Sequence, residues 1–144
     1  MPVPAKSSTP AHIKAHATGR WAEIIFRALS SRIANRWKFV SFRGAGQGEW
    51  RGVVDIVAIR KDTTQPPDAV LKRGDLFDLI LIQVKGGSAP GPTPNDCLRL
   101  RAVGRRYRAK AVVQFQWRNG KSARFFTLTR AMTWKPTTSE ELFG

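Results

Sequence analysis

The chain has 144 residues, with 25 Lys and Arg against 10 Asp and Glu, so its formal net charge is +15. A hydrophobic content of 42% suits one folded domain and excludes a wholly disordered chain. The charge favours a polyanionic partner, with nucleic acid ahead of a membrane surface. The absence of a long apolar stretch and of a signal-peptide pattern predicts no membrane association and a cytoplasmic location. The single cysteine, Cys97, excludes an internal disulfide and a Cys-rich zinc site.

Composition divides the chain into an arm, a domain and a tail. Residues 1–15 are rich in Pro and Ser and predict a flexible basic arm. Residues 16–135 are expected to form the folded domain, and residues 136–144 a polar tail. We found no internal repeat that would predict a repeat architecture.

The first predicted helix runs from Thr18 to about Asn35. Thr18 is the expected N-cap, and apolar residues recur at helical spacing at Ala22, Ile25, Phe26, Leu29 and Ile33. Glu23 lies at the edge of this stripe. It either pairs with Arg27 on the helix surface or directs its carboxylate toward the sheet, and the sequence leaves both open.

An alternating segment, Trp37 to Arg43, predicts the first strand. A glycine-rich loop follows at residues 44–52 and lacks the Lys-Ser/Thr ending of a phosphate-binding P-loop. We expect this loop to be a hairpin connection in which Arg43 and Arg51 would contact a nucleic acid. Glu49 in the same loop is an alternative to Glu23 as a carboxylate directed toward the strand of Asp55.

Two apolar runs, Gly52 to Arg60 and Leu79 to Gly87, predict central strands. They are interrupted by Asp55, Gln83 and Lys85, and strand alternation places Gln83 and Lys85 on one face. Buried charges are costly unless they pair, bind a metal or reach water. The sequence therefore favours convergence of these side chains around a cation at one end of the sheet. A buried salt bridge between Asp55 and Lys85 is the alternative.

A second helix is predicted from Thr93 to about Ala109. Thr93 would be the N-cap and Asp96 would lie near the positive end of the helix dipole. Leu100, Val103 and Tyr107 form the expected core stripe. Six basic residues with almost no acidic neighbours predict a face that contacts phosphates; they are Arg99, Arg101, Arg105, Arg106, Arg108 and Lys110.

Two further strands are predicted at Ala111 to Trp117 and Ala123 to Thr129, joined by a hairpin around Asn119-Gly120. Gln114 and Gln116 share one face, which we interpret as partly solvated. An RNA-binding protein would instead expose stacking aromatic residues on this sheet. The residues able to do so also fit core positions; they are Phe39, Phe115, Trp117 and Phe125.

The order of Asp55 on one strand and Gln83-Val84-Lys85 on the next resembles the PD-(D/E)xK nuclease superfamily. The resemblance covers roughly residues 15–130. The chain departs from the motif at Val54, which replaces Pro, and at Gln83, which replaces the second acid. The Gln-x-Lys form is similar to the variant of Mrr-type restriction nucleases. The resemblance implies an α/β, restriction-endonuclease-like core: a mixed sheet of about five strands flanked by two helices, in the order αβββαββ.

The resemblance also implies a metal-dependent DNA endonuclease that is junction-resolving or restriction-like. Mg²⁺ or Mn²⁺ would be held by Asp55, the Gln83 amide oxygen and the Val84 main-chain carbonyl, with Glu23 acting through water. Lys85 would orient or deprotonate the attacking water. Duplex or branched DNA would be the partner, and a homodimer is expected from the resolvases. The alternative is a nucleic-acid-binding protein in which this site is weakened or inactive, and the neutral Gln83 motivates it.

Overall fold

The computed structural model describes residues 24, 26–28, 36–42, 52–86, 92–117 and 122–144. Residues 24 and 26–28 are helical. In chain order, the later elements are β1 (Lys38–Ser41), β2 (Ile56–Lys61), β3 (Phe77–Gly86), α1 (Pro94–Arg106), β4 (Ala111–Trp117), β5 (Arg124–Leu128), β6 (Trp134–Thr137) and α2 (Ser139–Phe143).

The strands form one mixed sheet in the order β1-β2-β3-β4-β5-β6. Neighbouring strands are antiparallel except β3 and β4, which are parallel. A parallel pair needs a crossover connection, and α1 provides it. The predicted mixed α/β sheet is confirmed, but the described residues contain six strands and the sequence analysis expected about five.

Both faces of the sheet carry apolar residues, because most residues of β3 and β4 are aliphatic or aromatic. On one face, Ile82 and Phe115 pack in a cluster with Phe26 from the first helical segment. On the other face, Val112 packs against Leu100 of α1. The helical segment that includes Phe26 and the helix α1 therefore lie on opposite faces of the sheet.

The start of α1 follows its capping residues. The Thr93 hydroxyl accepts a hydrogen bond from the Asp96 N–H at 3.1 Å, and the Asp96 carboxylate accepts one from the Thr93 N–H at 3.3 Å. The helix ends at Arg106, earlier than the predicted Ala109. Tyr107 is 60% exposed, so its assignment to the core stripe was wrong.

The expectation of a polar C-terminal tail is corrected for the residues that form β6 and α2. Trp134–Thr137 pairs with β5, and Phe143 is 2% exposed. The ring of Phe143 lies 5.3 Å from Phe39 and 6.1 Å from Phe26, between ring centroids. These contacts bury the end of the chain in the core. None of the helices in the described residues is long and apolar enough to cross a membrane.

Candidate functional site

Asp55 lies immediately before β2, where it bridges to both neighbouring segments. Its N–H donates to the Ile82 carbonyl at 2.9 Å, and its carbonyl accepts from the Phe42 N–H at 2.9 Å. Its carboxylate Oδ2 accepts a hydrogen bond from the Val84 N–H at 2.7 Å. The predicted strand began at Gly52, whereas β2 begins at Ile56. The side chain of Asp55 therefore supplies an acceptor for β3 beyond the start of β2.

Asp55 interrupts the regular pairing of β2 with β3. The register ends at the pair of Ile56 with Ile82, and the Asp55 N–H also bonds to Ile82. Gln83 is the next residue of β3, and strand alternation places it on the face of Leu81. This is the face that α1 covers, because Leu81 in β3 pairs with Val112 of the α1 cluster. The structure thus brings the Asp55 carboxylate to Val84, the residue that follows Gln83.

Gln83 belongs to a row of three glutamine amides. The Gln114 Nε2 donates to the Gln83 Oε1 at 3.0 Å, and the Gln116 Nε2 donates to the Gln114 Oε1. Gln83 is 5% exposed and Gln114 is 1% exposed. The interpretation of this β4 face as partly solvated was therefore wrong at Gln114. Buried amides need such partners, since an unpaired buried polar group costs about 1–3 kcal/mol.

Lys85 lies two residues beyond Gln83 in β3 and is half-buried. Its register partner in β4 is Gln116, so it shares the face of the amide row. The ion pairs between described residues join Arg60 to Asp78 and Arg99 to Asp96. Neither includes Lys85, so the alternative of a salt bridge between Asp55 and Lys85 is not formed.

The oxygen atoms around Asp55 are of the kind that a hard divalent cation prefers. The N–H and C=O of a strand residue point to the same neighbouring strand. The Val84 carbonyl is therefore directed to the side of β3 on which the Asp55 carboxylate lies. These atoms give one charged and one neutral oxygen that could serve as metal ligands, and the Gln83 amide oxygen accepts a hydrogen bond from Gln114 of β4.

The described residues offer few carboxylates for a metal site, although their oxygen atoms are of the chemical type that Mg²⁺ prefers. Within the described residues, no group of three or more His, Cys, Asp or Glu side chains is positioned to hold a metal. Glu23 and Glu49 lie outside the described residues. The described donors fit Mg²⁺ or Mn²⁺ in chemical type, and a second carboxylate would have to come from elsewhere in the chain.

The basic residues of α1 differ in their surroundings. Arg99 is exposed, with its Nη1 atom 3.9 Å from Asp96. Arg101 is half-buried: its Nη2 donates to the Thr129 carbonyl and its Nε lies 3.5 Å from the Met132 sulfur. Through these contacts Arg101 stabilises the turn between β5 and β6. The exposed residues of the predicted phosphate-contacting set are Arg105, Arg106, Arg108 and Lys110.

These exposed residues lie at the end of the sheet away from Asp55. The helix α1 carries the chain back from the end of β3 to the start of β4, and the Lys110 N–H donates to the Leu79 carbonyl near the start of β3. A helix of this length spans about 20 Å. The C-terminal basic cluster is therefore about 20 Å from the candidate site along α1. Arg43 and Arg51, the other predicted DNA contacts, lie outside the described residues.

Comparisons with known proteins give one distant structural likeness. No family model and no curated protein matches the sequence. The fold is similar to the 1.6 Å resolution structure of Hjc, a Holliday junction resolvase from the archaeal hyperthermophile Archaeoglobus fulgidus. The TM-score is 0.47 and the sequence identity 16%, over 87% of this chain and 91% of that chain.

Proposed function

We propose that this protein is a metal-dependent endonuclease that cleaves phosphodiester bonds in DNA. The observation that carries the proposal is the hydrogen bond from the Val84 N–H to the Asp55 carboxylate at 2.7 Å. Val84 lies between Gln83 and Lys85 in β3, so this contact sets the carboxylate against the segment that carries the other proposed site residues. The formal charge of +15 supports a polyanionic substrate.

In the proposed site, Asp55, the Gln83 amide and the Val84 carbonyl hold Mg²⁺ or Mn²⁺, and Glu23 or Glu49 contributes the second carboxylate. Such an ion would supply Lewis-acid stabilisation and a nucleophilic hydroxide at neutral pH. Lys85 extends from the same face and orients the attacking water or offsets the charge that develops on the phosphate. The amide row fixes the side-chain position of Gln83, because Gln114 occupies one side of its oxygen.

The second candidate function is nucleic-acid binding without cleavage. Gln83 Oε1 already accepts a hydrogen bond from Gln114, and its amide carries no charge. A neutral ligand attracts a cation less strongly than a carboxylate does. If neither Glu23 nor Glu49 reaches the site, the same surface would bind DNA and leave it intact.

A cleavage assay separates the two candidates. Linear duplex, single-stranded, flap and four-way-junction DNA would be incubated with the protein in Mg²⁺, Mn²⁺ or EDTA, beside the variants Asp55→Asn and Lys85→Ala. Cleavage that requires a metal and is lost in both folded variants supports the nuclease. Salt-sensitive binding without cleavage on every substrate supports the second candidate. Light scattering with and without junction DNA tests the expected homodimer.

A further inference from the structure

An open trough lies beside α1, on the sheet face that this helix covers only in part. One section has a volume of about 450 Å³, and its lining includes Val57, Leu79, Leu81, Val103 and Tyr107. A second section of about 680 Å³ lies toward the far end of β2, and its lining includes Arg36, Lys38, Ile59, Lys61 and Phe77.

The two sections lie next to each other along the sheet. Val57 pairs with Leu81 in the first section, and the next outward pair on the same face joins Ile59 of the second section to Leu79 of the first. Val53 and Val54 of the first section lie next to Asp55. The trough therefore extends from the candidate site to the opposite end of β2, a length of about 20 Å at the rise of a strand.

Positive charge is concentrated at the far end of the trough. Arg36, Lys38 and Lys61 are exposed, and the ion pairs between described residues do not include them. The guanidinium of Arg60 is held by Asp78 at 3.0 Å, and it lies 4.4 Å from the centroid of the Trp37 ring. Three cations thus remain available to a ligand at this rim.

The nearest acidic groups do not neutralise this rim. Asp78 is paired with Arg60. The carboxylate of Asp62 accepts hydrogen bonds from the Thr64 hydroxyl at 2.7 Å and the Thr64 N–H at 2.9 Å. These bonds lower the pKa of Asp62 and keep it ionised. The cation that acts on the Asp62 carboxylate is Lys110, so Asp62 does not offset the charges of Arg36, Lys38 and Lys61 and the rim remains positive.

Two aromatic side chains along the trough are solvent-exposed. Phe77 is 57% exposed at the charged end, and Tyr107 is 60% exposed beside the apolar floor. Exposed rings above a groove with basic edges are the features that bind unpaired bases, since a base stacks on an aromatic ring and its phosphates meet the cations. A duplex keeps its base faces stacked inside and cannot use such rings.

We propose that this trough binds a single-stranded segment of nucleic acid. Its bases lie against Phe77, Tyr107 and the aliphatic floor, and its phosphates lie against Arg36, Lys38 and Lys61. The concave shape favours this ligand over an anionic membrane, which would need a protruding apolar surface. Binding of this strand needs the trough alone. Cleavage rests on the proposed nuclease function, and in that case the DNA that is cut would contain an unpaired strand.

The test measures binding by fluorescence anisotropy, with a labelled oligothymidylate and a duplex of equal length, in EDTA so that no cleavage occurs. We expect Phe77→Leu, which keeps an apolar side chain and removes the ring, to weaken oligothymidylate binding at least fivefold, from the usual value of base stacking. The double variant Lys38→Ala, Lys61→Ala should make binding less sensitive to salt. The slope of log binding constant against log salt concentration should become shallower by about 0.7 per lost phosphate contact.

Lys135→Ala is the matched control, because Lys135 is exposed in β6 at the other edge of the sheet. It should leave oligothymidylate binding within about twofold of wild type, in line with a surface change outside the trough. An unchanged affinity in Phe77→Leu, an equal loss for the duplex, or binding to anionic phospholipid vesicles in place of DNA would overturn the trough. The nuclease proposal is tested separately, by metal-dependent cleavage in the wild type that is lost in Asp55→Asn. A negative result for the trough would leave that proposal standing.

Discussion

The main-chain N–H of Val84 donates a hydrogen bond of 2.7 Å to Oδ2 of Asp55. In a regular antiparallel pair the acceptor would be a main-chain carbonyl of β2, but β2 begins only at Ile56. One carboxylate oxygen therefore completes the hydrogen bonding of β3. The same carboxylate is also the charged metal ligand of the candidate site. One side chain would therefore have both a structural and a chemical role.

The two roles of Asp55 can be separated by comparing two substitutions. Asp55→Asn keeps an oxygen able to accept from the Val84 N–H, so its free energy of unfolding should stay within about 1 kcal/mol of wild type. Asp55→Ala leaves that N–H without its acceptor and should cost about 1–3 kcal/mol. Both should reduce cleavage about a hundredfold or more if the charge holds a metal. Urea unfolding and the cleavage assay measure the two effects. An equal loss of stability in both variants would contradict the hydrogen-bond role.

Introducing an acid at position 83 tests whether the site binds a cation. In Gln83→Glu, burial should raise the pKa of the new carboxyl above about 4.3. The free energy of unfolding of the variant should therefore be closest to wild type at low pH, where the carboxyl is neutral, and should fall as pH rises through that raised pKa. Mg²⁺ should restore the melting temperature at neutral pH by binding the folded state. Gln114→Glu is the control, because it places the same charge one strand further from Asp55. An equal response to Mg²⁺ in both variants would argue against a site at Asp55.

Sequence patterns predicted the parts of this fold that depend on local chemistry. The continuous apolar runs predicted β3, and β4 has the predicted bounds, Ala111–Trp117. The residues Thr93 and Asp96 predicted the start of α1, because a capping box satisfies the first N–H groups of a helix. Each of these signals lies within a few residues of the structure it specifies.

The parts that were not predicted depend on contacts between distant segments. The apolar pattern continues through Val53 and Val54, so alternation alone could not reveal that β2 starts after Asp55. The pairing of Gln83 with Gln114 follows from a register between strands separated by α1. The short C-terminal helix has a single deeply buried anchor, Phe143, and one aromatic residue is too little periodicity to predict an element.

Substitution of two arginines of α1 should affect different properties of the protein, stability for Arg101 and DNA binding for Arg106. Arg101→Ala removes the contacts with Thr129 and Met132 and should cost about 1.5–3 kcal/mol of unfolding free energy. Arg106→Ala should change stability by less than about 0.5 kcal/mol, because its side chain is exposed. If Arg106 contacts a phosphate, the salt dependence of duplex binding should fall by about 0.9 in log–log slope. Thermal unfolding and anisotropy at several salt concentrations give both quantities. A salt effect in Arg101→Ala alone would reverse this assignment.

Gly104 sets how closely α1 approaches the sheet. A Cβ atom at this position would lie 2.7 Å from the Cγ2 atom of Val112, closer than two carbon atoms can pack without displacement. Alanine favours a helix over glycine by about 1 kcal/mol, yet we expect Gly104→Ala to destabilise the protein by about 1–3 kcal/mol through overpacking. Adding Val112→Ala should recover part of that loss, which would appear as a non-additive double-mutant cycle in urea unfolding. Additive effects, or a stabilised Gly104→Ala protein, would show that the helix can move away from β4 at little cost.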